Sequence, residues 1–248
     1  MLFEYSGRGI NGLTQQPIFF MFIFGIYFSF FAMLEDLMVR HKLTNFQVFL
    51  IAVSWGTLVE AFVTGNLYDP DASFGITLVG VNIVNFIIIS VFAWGIVQSN
   101  ITLYLANRLQ PRDWDHPKMG TLGWIVCILY QIGIVLVAMQ SPVTPKSQLA
   151  GYIALLIFEA AMLTILVYSL KNPREDKPKF SPVPLMDFLA FGSVVIFLIL
   201  GTFFVDWKAV VTQHSLNRTA IVLEVIWTII AGVTFIIYRM VSRKEIAV

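Results

Sequence analysis

Seven apolar runs punctuate the chain, separated by short polar segments. They cover about Pro17 to Leu34, Phe46 to Gly65, Gly75 to Leu105, Met119 to Met139, Leu149 to Leu170, Leu185 to Val205 and Thr219 to Met240. A helix needs roughly 20 mostly apolar residues to cross the hydrocarbon layer of a bilayer. Inside that layer backbone polar groups must be satisfied within the protein, which favours helices. The pattern therefore predicts an all-α, polytopic membrane protein: a seven-helix transmembrane bundle forming a single transmembrane domain over residues 1–248. The third run is longer than one span requires. It predicts a helix that tilts or projects past the membrane, or a run that hides a break.

Charge between the runs orients the bundle. Arg40, Lys42, Arg108, Arg112, Lys118, Lys171, Arg174, Lys177, Lys179, Arg239, Arg243 and Lys244 fall on one side, 12 residues; Arg8, Lys146, Lys208 and Arg218 fall on the other, four. Lys and Arg accumulate in cytoplasmic loops. The bias alternates through all seven runs and predicts an outside N-terminus and a cytoplasmic C-terminus. The expected location is a membrane, integral and multi-pass, with the cell membrane first. The loops leave no room for a soluble domain. One connector, residues 171–184, holds four prolines and reads as extended and semi-stiff. Trp-Gly recurs at 55–56 and 94–95, too little for an internal repeat.

Composition agrees and excludes several classes. Of 248 residues, 58% are hydrophobic and 12% charged, with a mean hydropathy of +0.79. Soluble domains carry about a quarter charged residues. A net charge of +1 argues against a nucleic-acid partner, which needs a clustered basic surface. Cys127, the one cysteine, can form neither a disulfide nor a cysteine metal site within one chain. His41, His116 and His214 fall between the runs, against intramembrane haem or histidine metal ligation. No metal and no cofactor is expected. Glu4 and Arg8 precede a first run of full span length, unlike a cleavable signal peptide.

The candidate chemistry lies in polar residues at depth. These are Thr57 and Glu60 in the second run, Asn82, Asn85, Ser90 and Gln98 in the third, Gln131 in the fourth, Glu159 and Thr164 in the fifth, and Glu224 and Thr228 in the seventh. At about 1.5 Å per residue, most acids and amides fall in the outer half and Glu159 near the midplane. Glu35, Asp36 and Asp187 mark the inner rim. Intramembrane carboxyls are costly and tend to mark function. The pattern predicts an outward-facing polar cavity lined by Glu60, Asn82, Asn85, Gln131, Glu159 and Glu224, with Trp55 and Trp227 as walls and Gly56 allowing close helix approach. Glu159 is the expected centre. Removal from water favours the neutral form of a carboxyl, which suits a proton relay, a cation site or a general acid. The competing expectation is structural: buried amides hydrogen-bond neighbouring helices wherever they sit.

Other features read as ordinary. Asp113, Asp115 and His116 fit a solvated loop, since a hard-cation site needs six or more oxygens. Asn217-Arg218-Thr219 matches a glycosylation sequon abutting a span. Tyr68, Trp114, Trp207 and Tyr238 fit interfacial anchors. Seven spans with the N-terminus outside is the topology of retinal proteins, but no lysine falls between Thr219 and Tyr238 for a Schiff base. No Asp-rich pair, histidine box or Gly-x-Ser-x-Gly elbow appears.

Three function classes fit. The first is binding or transport of a small solute, ion or proton through the acidic cavity. The second is an enzyme on a lipid or isoprenoid, using carboxylic acids in an apolar pocket. The third is a non-catalytic subunit of a larger assembly. The expected partners are the lipid bilayer and other membrane subunits or further copies of the chain.

Overall fold

The computed structural model describes residues 2–15, 17–69, 76–117, 119–141, 145–171, 182–205 and 218–242. The proline-rich part of the connector, Asn217 of the sequon, and His214, Trp207, Lys118, Lys208, Arg243 and Lys244 lie outside them. Eight helices organise the described chain: α1 (Leu2–Gln15), α2 (Pro17–His41), α3 (Asn45–Phe62), α4 (Ile83–Leu109), α5 (Thr121–Gln140), α6 (Leu149–Leu170), α7 (Pro184–Phe203) and α8 (Arg218–Ser242). Seven of them, α2 to α8, are long and apolar enough to cross a membrane. The protein is a multi-pass, all-α integral membrane protein.

Local sequence explains several boundaries. Thr44 caps α3: its Oγ1 accepts from the Gln47 backbone N–H at 3.3 Å, and the Gln47 side chain accepts from the Thr44 N–H at 2.8 Å. That reciprocal pair satisfies two donors the helix start would leave open. Pro184 opens α7, where its missing N–H costs nothing. The first run was expected to end at Leu34, yet α2 continues to His41. Glu35, Asp36 and Arg40, which end the apolar pattern, are all paired within the protein and leave the helix free to continue.

The third run departs most from expectation. The helix begins at Ile83, not Gly75, because a short hairpin precedes it: β1 (Thr77–Leu78) pairs antiparallel with β2 (Val81–Asn82). The two turn residues, Val79 and Gly80, adopt φ of 53° and 80°, as a two-residue hairpin requires. A continuous apolar run does not by itself distinguish buried strand from helix. From Phe86 to Ile101 the helix winds as a π-helix. Polar side chains bridge the same wider turn: Asn100 Nδ2 donates to the Gly95 carbonyl at 2.9 Å, and Thr102 Oγ1 to the Val97 carbonyl at 2.9 Å. Such winding is rare and concentrates at functional sites.

Helices α3 and α4 form the centre of the bundle. They pack through glycines, Gly56 against the Trp94 side chain and Gly95 against Val53 and Phe49, as close membrane packing favours. Helix α5 packs on α2, α6 on α3, and α7 and α8 on the far side of α4. In the spanning windows 61% of α3 and of α4 is buried against 11% of α6, so α6 presents most of its surface to lipid. Helix α1 spans nothing. It lies across the ends of α7 and α8, at the end of the bundle opposite the basic loops, called here the N-terminal end.

Candidate functional site

Glu60, on the last turns of α3, is 6% exposed. One oxygen accepts from Thr64 Oγ1 at 2.8 Å and Asn66 Nδ2 at 2.7 Å; the other accepts from Trp94 Nε1 at 3.1 Å. Trp94 sits where it does because Gly56 has no side chain. Its ring stacks on Tyr27 of α2 at 5.1 Å, and Phe30 meets it edge-on at 5.9 Å. Through Trp94 the buried Glu60 is thus one ring away from Tyr27, which lines a cavity together with Gln98. Glu224 accepts from Ser6 Oγ of α1. Glu4 pairs with Arg8 at 2.9 Å. Three acids, from α1, α3 and α8, thus sit toward the N-terminal end of the bundle.

Beneath Tyr27 lies a cavity of about 220 Å³ between α2, α4 and α7. Tyr27, Gln98 and Phe197 fall toward its N-terminal end and Phe31, Ile101 and Leu105 toward the other, with Ser193 and Thr102 on the walls. Thr102 is exposed and lies within the α4 span, so the cavity reaches the lipid-facing surface. No carboxylate lines it among the described residues.

The other expected site residues fall elsewhere. Glu159 lies in the seam between α6 and α3, where Ser54 Oγ donates to one oxygen and the other is buried with no partner among the described residues. It does not join Glu60 and Glu224: Ser54 and Glu60 are six residues apart on α3 and point to different sides. Asn82 and Asn85 brace the loop after α3. Asn82 Oδ1 accepts the Asn85 N–H at 3.1 Å, and the two side-chain amides donate to the Asp69 and Asn66 carbonyls at 3.2 and 2.8 Å. Gln131 stitches α5 to α2, donating to the Ile26 carbonyl at 3.0 Å and to Ser29 Oγ at 2.5 Å. Trp227 donates to Ser193 Oγ at 2.9 Å and so ties α8 to α7. Trp55 stacks on Phe30 at 5.1 Å, with its indole N–H buried and without a partner among the described residues. Tyr68, read as an interfacial anchor, is instead buried in the loop after α3 and packs edge-on against Tyr152 at 5.3 Å. Burial pushes its phenol well above the usual tyrosine range, and Tyr152 adds to the effect.

The basic end holds a second polar cluster. Asp36 is fully buried and accepts from Arg40 Nε at 2.5 Å, Trp124 Nε1 at 2.7 Å and the Met119 N–H at 2.9 Å. Arg112 clamps both oxygens of Glu35 and lies 5.0 Å over the Trp114 ring. Asp187 accepts from Tyr104 at 2.9 Å and Arg108 at 3.2 Å. Each rim acid therefore has a cation or several donors, and this end reads as a structural clasp. Among the described residues no group of three His, Cys, Asp or Glu side chains could hold a metal ion.

Glu4 and Tyr27 came from places with weak sequence signal. Tyr27 is one aromatic in a phenylalanine-rich run. Glu4 and Ser6 precede the first apolar run and read as a tail. The spacing Glu4-x-x-x-Arg8 was the signal for a helix there.

No curated protein and no solved structure is matched by the chain. A family model does match it, over residues 11–248, and the chain belongs to that family, described as an uncharacterized membrane protein family.

Proposed function

We propose that the protein moves protons across the membrane together with a small solute held in the cavity beneath Tyr27. Glu60 and Glu224 are the proton-carrying groups in this reading, and Tyr27 with Gln98 links them to the cavity. The observation that carries it is the run of contacts from the buried Glu60 through Trp94 to Tyr27, which lines the cavity. Intramembrane acids without full cation pairing are costly and persist where protons or cations move. The Lys and Arg bias supports an outside N-terminal end, so protons would enter near α1. Glu159 has no part in the path.

The test is proton uptake into proteoliposomes, read by a trapped pH dye, during a screen of small uncharged and cationic solutes. At least one solute is expected to drive uptake. Glu60→Gln or Glu224→Gln abolishes that uptake, and Glu159→Gln leaves it intact. A wild type that moves protons with no solute in the screen, or uptake that survives both of the first two substitutions, overturns the reading.

A further inference from the structure

We infer that the cavity takes an uncharged, membrane-soluble aromatic molecule of about one or two fused rings, bearing a single hydrogen-bonding group. This rests on the solute-binding half of the function proposed above.

Size sets the first limit. A dry cavity of about 150 Å³ admits benzene, so 220 Å³ holds one ring within the walls, and a second extends toward the open side. Polarity sets the second. Ser193 Oγ already donates to the Leu189 carbonyl at 2.7 Å and accepts from Trp227. Thr102 Oγ1 donates its hydrogen to the Val97 carbonyl. Spare hydrogen-bonding capacity is thus concentrated in the Gln98 amide and the Tyr27 hydroxyl, at one end. The rest is apolar, with the Phe31 and Phe197 rings among it. No carboxylate is among the described lining residues, so a charged ligand there would lose its hydration with no opposite charge in contact, an uncompensated cost. Entry sets the third limit: the exposed Thr102 rim lies within the span, so the ligand arrives from the bilayer and must partition into it. The polar group then meets Gln98 and the ring packs below.

The probe is 5-fluoroindole, followed by fluorine NMR with the full chain in lipid nanodiscs. A bound resonance absent from empty nanodiscs is expected. Unlabelled indole displaces it and tetraethylammonium does not. Val194 also lines the cavity, and Val194→Phe fills it and removes the resonance. Gln98→Leu weakens binding by about tenfold, the worth of one hydrogen bond. Both variants are checked for a wild-type unfolding midpoint. A spectrum identical to that of empty nanodiscs, displacement by tetraethylammonium, or binding indifferent to a folded Val194→Phe overturns the inference. Loss of binding with proton uptake intact sinks the ligand class alone. Binding with proton uptake indifferent to Glu60 and Glu224 sinks the proton link alone.

Discussion

Asp36→Ala is expected to lower the stability of the bundle by about 3 kcal/mol. The carboxylate is fully buried and takes three donors from two helices and a loop, at 2.5, 2.7 and 2.9 Å. Removing it strands the Met119 N–H and the Trp124 indole N–H at the start of α5. Arg40 also holds the Met119 carbonyl at 2.5 Å, so the whole junction between α2 and α5 loosens together. Breaking a buried ion pair costs about 3–5 kcal/mol, and the low end applies because the Arg40 side chain is 41% exposed and partly solvated. Asp36→Asn keeps one acceptor oxygen and should fall between. The measurement is the midpoint of SDS-induced unfolding in mixed micelles. An alanine variant that unfolds with the wild type would show that the clasp at this end contributes nothing.

Gly56→Ala is the second large effect, and it connects stability to the site. A Cβ at Gly56 would lie 2.5 Å from both Cβ and Cγ of Trp94. The ring has little freedom to yield, being stacked on Tyr27, edged by Phe30 and hydrogen-bonded to Glu60. Overpacking of this kind costs about 2 kcal/mol. Either α3 moves off α4 or Trp94 leaves Glu60. In both cases proton uptake should fall as it does for Glu60→Gln. Gly192→Ala is the matched control: its Cβ would meet the Trp227 ring at 3.5 Å, an ordinary contact. Unfolding midpoints and intrinsic tryptophan fluorescence separate the two. Wild-type values for Gly56→Ala would remove the close approach of α3 and α4 from the account.

Hydropathy made the bundle legible because a bilayer demands long apolar helices and little else has that signature. It failed where apolar character and helix part company. Residues 77–82 carry Leu78, Val79 and Val81 directly into the apolar helix that follows, and the turn at Val79-Gly80 folds them back. At the other extreme, Glu35 to His41 look like a loop by polarity and are helix, because their charges find partners 77 to 88 residues away. Distant pairing leaves no local trace in a sequence. The site was legible in part for the same reason. The acids announced themselves by their cost in hydrocarbon, but which of them converge depends on helix rotation. Glu60 turns toward Trp94 and Glu224 toward Ser6, while Glu159 turns to Ser54 on another side of α3.

The seating of α1 has a consequence for biosynthesis. Ser6 reaches a partner 218 residues later and Tyr5 one 197 residues later, in α8 and α7. The first helix made must therefore wait for the last two to enter the bilayer before it can dock. Until then Glu224 lacks Ser6 and Thr202 lacks Tyr5. The nascent chain is thus without its finished N-terminal end for nearly the whole of its synthesis, and closure of that end becomes the final step of assembly.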